Sequence, residues 1–326
     1  MKSKDMIYGG FDPTFIDINI LPFNEDNNSL ITNFPPLGSH HSQTSIDLIP
    51  GGNGFNLCRT LANFGRSVTF VGPSSPLYEN LVKEHNISLK IKPIKNAEVN
   101  FTGIINLKEG EIQFNSVKSN LSIEHLSADI LECYRKSPLK PVSNIALNPT
   151  SIEWNSSLVL SLWTPDVLEY IHKPKDPLSI LKDQQTTDFD GLLFIDPSDI
   201  SNFNKLPELQ IFLSELKKLE GDKFLSLNER ELKCLTGQFQ KNPQELYELL
   251  HIPIIFHSAD DVIFYGNNQL KLKTKHLTKK KTFVGAGDCF NGAFIHSFFN
   301  NNSVEDSLLF AIESASYLIE TGNYPS

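Results

Sequence analysis

The chain has 326 residues, 40% hydrophobic and 21% charged, with 29 Lys and Arg against 38 Asp and Glu for a net charge of −9. That length and apolar content bury a core large enough to fold without disulfide or metal staples. The acidic balance excludes a nucleic-acid coat protein, which needs surplus Lys and Arg to neutralise phosphates, and leaves only a local anion site open.

Taken in chain order, the first element is the short apolar run Met6–Gly10, and a polar, Asn-rich stretch comes next at Asn24–Asn28. Leu57, Leu61 and Phe64, with Ala62 alongside, recur at helical spacing over Asn56–Phe64, and Gly65 stands where a helix-ending glycine belongs. Ser67–Gly72 is β-branched and aromatic and bounded by glycine, which predicts a buried strand. Lys90–Ser119 alternates, with turn signals at Lys95-Asn96 and Glu109-Gly110, and predicts hairpin strands set apart from the rest of the chain.

Beyond Ser119, strands at Leu158–Trp163, Leu192–Ile195, Lys223–Leu227 and Pro253–His257 alternate with helices at Leu178–Gln184, Leu206–Leu219 and Glu229–Leu235. Such alternation predicts βαβ units and a parallel sheet covered on both faces. No repeat period or long linker divides the chain, so one domain is expected over residues 1–326. A polar strand, Gln269–Lys275, leads to Lys279-Lys280-Lys281, which is either a solvated loop or a source of one lysine for a phosphate.

Cys58, Cys133, Cys234 and Cys289 are scattered and form no CxxC pair, so reduced, buried thiols are expected rather than zinc or disulfides. The N-terminal MKSKDMIYGG has no apolar run after its lysines, and no stretch approaches the roughly 18 apolar residues of a membrane span. A soluble, cytoplasmic protein with no nucleic-acid or membrane partner is expected.

Two glycine motifs carry chemistry. In Val284-Gly285-Ala286-Gly287-Asp288-Cys289-Phe290-Asn291-Gly292-Ala293-Phe294, small residues allow close approach of backbone to ligand. The helix beginning there points unpaired N–H groups and a positive dipole end at an anion. Asp288, in the first turn, also suits a helix cap, but capping explains neither the glycines around Ala286 nor the pair Gly292-Ala293. The second motif, Pro50-Gly51-Gly52-Asn53-Gly54-Phe55-Asn56, leads into the Leu57–Gly65 helix and gains weight from the first.

These residues resemble the signatures of the ribokinase/PfkB family of sugar and nucleoside kinases. Gly51–Asn56, followed by Leu61-Ala62-Asn63-Phe64-Gly65, is similar to the first, and Gly285–Phe294 to the second. Asn228-Glu229-Arg230-Glu231 resembles the family's NxxE motif, and Leu192–Pro197 its mid-chain strand ending in Asp-Pro. The resemblance implies a three-layer α/β/α fold with a mostly parallel central sheet and a small β-strand lid, built from roughly 18–48 and 90–119. It implies an ATP- and Mg-dependent kinase for a sugar or nucleoside hydroxyl, with a homodimer formed through the lid.

By the same resemblance Asp288 is the general base, and the N–H groups of Gly285, Ala286 and Gly287 form the anion hole. Gly51, Gly52 and Asn56 line the acceptor pocket. Asn228 and Glu231 face the nucleotide phosphates, with Glu231 holding magnesium through water. The nucleotide loop corresponds to His257-Ser258-Ala259-Asp260-Asp261, with Ser258 toward the nucleotide and the family's glycines missing. For the acceptor-binding carboxylate, Gly10-Phe11-Asp12-Pro13-Thr14-Phe15-Ile16-Asp17 offers Asp17, which is preferred, and Asp12, which is equally a turn residue before proline.

Other departures are informative. Thr282-Phe283-Val284 stands where many members carry Asp-Thr-Thr, which speaks against a monovalent-cation site, and Pro73-Ser74-Ser75-Pro76 replaces an expected GxDxxG. His257 reads as a strand-end residue. The alternative function is a small-molecule sensor that keeps the fold without turnover. A dinucleotide oxidoreductase is disfavoured, because no GxGxxG comes after the first strand.

Overall fold

A computed structural model describes residues 6–10, 14–22, 44–94, 98–107, 110–115, 157–161, 192–197, 213, 222–277 and 281–326. The run Met6–Gly10 forms β1, parallel to β4 (Ser67–Pro73) on one side and β8 (Ser157–Ser161) on the other. β5 (Lys90–Ile94) adds parallel to β4. Past β8 lie β9 (Leu192–Asp196), β10 (Asp222–Asn228) and β11 (Ile254–His257), all parallel. β12 (Asp261–Tyr265) and β13 (Leu270–Lys273) complete that edge antiparallel.

Alternation along β10 shows why two helical layers are needed. Phe224 and Ser226 face α5 (Ala286–Phe298): the Phe224 ring lies 5.1 Å from that of Phe294, and Ser226 Oγ donates to Asn291 Oδ1 at 2.6 Å. Leu225 and Leu227 are buried on the opposite face, where α3 (Glu229–Phe239) packs against β10 and β11. Buried on both sides, these strands read as continuous apolar runs. The expected three-layer α/β/α architecture is what the chain adopts.

On the first face α1 (Asn53–Asn63) and α6 (Val304–Thr321) flank α5. Gly292 permits the approach of α1, since a Cβ there would lie 2.8 Å from Thr60 Cβ and 2.9 Å from the Leu57 carbonyl oxygen.

A second, four-stranded sheet stands apart, in the order β3 (Thr44–Gly51), β2 (Phe15–Pro22), β6 (Asn100–Leu107) and β7 (Gly110–Asn115). Its register places Asp17, Ile49 and Thr102 in one row, and Ile18, Leu48, Gly103 and Phe114 in the next. Cross-strand partners share a face, so adjacent rows point to opposite sides of the sheet.

Several expectations are refined. Lys90–Ile94, expected within the small sheet, is an edge strand of the large one, because an alternating edge strand reads alike in either sheet. The small sheet starts at Phe15 and its second strand runs to Gly51. Pro73–Pro76 opens α2 (Pro76–Glu84), whose Ser75 side chain accepts from Tyr78 N at 3.2 Å with proline in the first turn. α4 (Pro243–Leu250) begins likewise, with a reciprocal cap between Asn242 and Glu245. The helix expected at Leu178–Gln184 lies outside the described residues, and of Leu206–Leu219 only Leu213, helical and buried, is described.

Candidate active site

The glycine motif before α5 folds as its residue types dictate. Gly285 is the N-cap with φ 74°, a left-handed conformation that glycine takes without penalty. Ala286 N–H donates to the Phe283 carbonyl at 3.2 Å and closes the turn. Gly287 and Asp288 occupy the next two positions, where helical N–H groups have no partner within the helix. The helix therefore presents donors and a partial positive charge at its mouth.

Asp288 projects from this turn and is only 8% exposed. Asn56 Nδ2 donates to its Oδ2 at 3.1 Å. Asn56 itself is set by the second glycine motif: Gly52, at φ 111°, is the N-cap of α1 and its carbonyl accepts from Asn56 N at 2.8 Å. The two motifs thus meet through one side-chain hydrogen bond.

Facing them is the inner face of the small sheet. Phe15, Asp17, Thr102, Ile104 and Gln113 line a cavity of about 270 Å³ whose other wall is Gly52, Asn53, Asn56, Val284, Gly285 and Asp288. Asp17, 8% exposed, lies over Gly51 so closely that a Cβ on that glycine would overlap its carboxylate. Tyr78 Oη donates to the Gly51 carbonyl at 3.2 Å; Gly51, expected in the pocket wall, stands behind Asp17 and outside the cavity lining.

A larger cavity of about 1260 Å³ opens on the other side of the same turn, lined in part by Asn228, Ser258, Lys273, Ala286, Phe290 and Ile312. Phe283 and Gly287 border both cavities. The N-terminal turn of α5 is thereby the partition between two compartments, each sized for a small molecule.

Asn228 caps α3 through its backbone partners and its amide: its Oδ1 accepts from Glu231 N at 3.0 Å, and its Nδ2 donates to Glu231 Oε1 at 2.6 Å. Its own N–H donates to Glu231 Oε2 at 2.9 Å. Glu231, 3% exposed, stands behind Asn228 rather than in the cavity wall. Ser258 Oγ accepts from the Asp260 and Asp261 amides and so shapes the β11–β12 turn.

Of the expected residues, Asp17, Gly52, Asn56, Gly285, Gly287 and Asp288 meet in the smaller cavity, and Asn228, Ser258, Ala286 and Gly287 in the larger. Asp12 lies outside the described residues, as do Lys279 and Lys280. Lys281 packs its aliphatic stem against Gly322. Thr102 and Gln113 carry no signal in the sequence, because strand pairing brings them to the cavity: β2–β6 sets Thr102 opposite Asp17, and β6–β7 sets Gln113 opposite Ile104.

His257 ends β11 with its ring 5.3 Å from that of Phe290 and its Cε1 against Gly287. Burial pushes its pKa down to about 4. His296 is likewise pushed down to about 4, by burial and then by the neighbouring Arg66 guanidinium. Both imidazoles are neutral near pH 7. Unfolded, each takes a proton near 6.5, so the stability they confer is complete above that pH and is lost as pH falls toward 4. Thermal unfolding midpoints should drop across this window, and His296→Gln should flatten the drop; a midpoint constant from pH 7 to 4 contradicts this.

Among the described residues no helix is long and apolar enough to cross a membrane. Residues 201–324 match the family described as pfkB family carbohydrate kinase. No curated protein sequence matches the chain. Ribokinase from Thermotoga maritima is 16% identical with a TM-score of 0.65, over 98% of this chain and 95% of that one. Phosphofructokinase-2 from Escherichia coli, in complex with substrates and products, is 16% identical with a TM-score of 0.65, over 97% of this chain and 92% of that one. The nucleoside kinase of Methanocaldococcus jannaschii is 15% identical with a TM-score of 0.61, over 97% and 92%. At these identities the likeness is one of fold, and the fold is ribokinase-like. The resemblance read from the sequence motifs is borne out.

Proposed function

For a chain with the pfkB family carbohydrate kinase match in residues 201–324 and a ribokinase-like fold, we propose transfer of the γ-phosphoryl of ATP to a hydroxyl of a sugar or nucleoside. The observation that carries this reading is the shared wall. The first turn of α5 borders both cavities and Asp288 faces the smaller, so on this reading an acceptor in the smaller and a nucleotide in the larger meet at that turn.

Asp288 accepts the proton of the attacking hydroxyl as the new O–P bond forms and the bond to the departing ADP oxygen breaks. The N–H groups at Gly285, Ala286 and Gly287 stabilise charge on the transferring group, the Ala286 donor turning from its Phe283 partner as it does so. Asp17 holds neighbouring acceptor hydroxyls from the small sheet, which acts as a lid.

Magnesium, when bound, neutralises the phosphates. Among the described residues no three or more His, Cys, Asp or Glu gather as a metal cage, and the buried Glu231 carboxylate is reached through Asn228. This donor set fits an ion held by nucleotide oxygens and water, as magnesium commonly is. Asn228 would face that water from the cavity wall, and Glu231 would act through Asn228, whose N–H and amide its two oxygens hold from behind.

Two carboxylates facing one small cavity repel an anionic acceptor. In assays of ADP release with Mg-ATP, neutral sugars and nucleosides should therefore be phosphorylated and sugar phosphates spared; preference for a sugar phosphate would refute this assignment of the cavity.

The lid's outer face supports a homodimer. Ile46 and Phe114 are 62% and 58% exposed, with Leu48 and Phe101 beside them, on an apolar sheet surface of the kind that pairs with a second copy. Light scattering should give a dimer mass for the native chain and a monomer for Phe114→Asp; a monomeric native chain counts against the dimer.

A further inference from the structure

The C-terminal tail reaches the site from behind. After α6 the chain turns at Gly322, and the Pro325 carbonyl accepts from Asn63 Nδ2 at 3.3 Å, which ties the tail to the end of α1. Between these points Tyr324 lays its ring under the Arg59 guanidinium, 4.2 Å from its centroid. Its phenol oxygen abuts Gly285, where an added Cβ would fall inside van der Waals contact with it and 3.3 Å from Asn56 Nδ2.

Gly285 is therefore wedged between Tyr324 and Asn56, the residue that also holds Asp288. This matters because glycine populates left- and right-handed backbone almost equally. Nothing in Gly285 itself selects φ 74°, so the turn that aims the amides at the phosphoryl group depends on what surrounds it.

We propose that Tyr324 is a positioning residue for phosphoryl transfer, its hydroxyl bracing Gly285 in the conformation that forms the anion hole. The inference rests on the kinase reading for its catalytic consequence and on the structure alone for its mechanical one. Arg59 explains how the tail stays in place: its partly buried guanidinium, whose Nε has no hydrogen-bond partner among the described residues, takes the aromatic face. Burial raises the Tyr324 phenol well above its usual pKa, with the Asp288 and Asp17 charges adding to this and the Arg59 cation opposing it. The brace stays neutral beside the base at any physiological pH.

Tyr324→Phe removes the hydroxyl and keeps the ring on Arg59. Amide hydrogen exchange over Gly285–Asp288 should accelerate in this variant with an unchanged unfolding midpoint. Turnover should fall by up to about 10²-fold, the cost of misplacing a catalytic group by about 1 Å, with KM for ATP and acceptor unaltered. Tyr324→Ala, which also frees Arg59, should be worse. Exchange and turnover equal to the native protein in Tyr324→Phe, with loss only in Tyr324→Ala, would reduce Tyr324 to packing and overturn the proposal. So would a raised KM at constant turnover. Absence of phosphoryl transfer in the native chain refutes the kinase reading instead, and amide exchange still decides whether Tyr324 braces the turn.

Discussion

Asp288→Asn should suppress phosphoryl transfer by about 10²–10⁴-fold, the usual range for removing a general base, with stability and ligand binding close to native. The substitution is nearly isosteric. The new amide oxygen still accepts from Asn56 Nδ2, now 3.1 Å from Asp288 Oδ2, so the bond between the two glycine motifs survives. What is lost is the capacity to take a proton. Single-turnover assays should show the defect in the chemical step, while thermal stabilisation by acceptor and by Mg-ATP persists. Native-level turnover in Asp288→Asn would remove Asp288 from the mechanism.

Gly285→Ala should be the most damaging change of a single methyl group. An L-residue at φ 74° costs about 1–2 kcal/mol in backbone strain alone. The new Cβ also collides with the Tyr324 hydroxyl and crowds Asn56 Nδ2. The backbone must turn away, which disperses the amides at the mouth of α5. Losing one aimed oxyanion donor costs roughly 10²–10³ in turnover, so a loss of at least that order is expected, together with a lower unfolding midpoint. Nucleotide affinity should fall less than turnover, because the larger cavity retains its other walls. Full activity in Gly285→Ala would mean that the turn plays no part in the reaction.

The features legible in the sequence are those in which local stereochemistry demands a residue type. Gly285 and Gly52 sit at φ 74° and 111°, and glycine is the residue that accepts such angles freely. Asn228 and Glu231 sit three apart because each satisfies the other's backbone at the start of α3. The spacing that the family uses at the nucleotide phosphates is also the spacing of a capping box. Sequence reasoning therefore locates both residues without foreseeing that Glu231 lies behind Asn228.

Contacts set by distant pairing are beyond its reach. Thr102 and Gln113 enter the acceptor cavity through the register of β2, β6 and β7. Tyr324, 39 positions after Gly285 in the chain, reaches it only because α5 and α6 lie antiparallel and return the tail to the end of α1. Ser75-Pro76 is a local signal for the start of α2, a capping serine before a first-turn proline. Comparison with the GxDxxG motif that the stretch lacks obscures it.

Net charge −9 poses the question of how an acidic chain receives a polyanion. Under the kinase reading the answer is the concentration of donors at one helix mouth; the larger cavity carries Arg230, Lys233 and Lys275 beside Glu229 and Asp260, and its Lys273 is already paired with Asp261 at 2.7 Å. The kinase reading is tested most directly by phosphorus NMR of the native chain incubated with Mg-ATP and a panel of neutral sugars and nucleosides. A new phosphomonoester resonance, appearing with ADP in equal amount, is the predicted result. Ligand-induced thermal stabilisation with no phosphomonoester from any acceptor would contradict it and identify the protein as a sensor on a kinase fold.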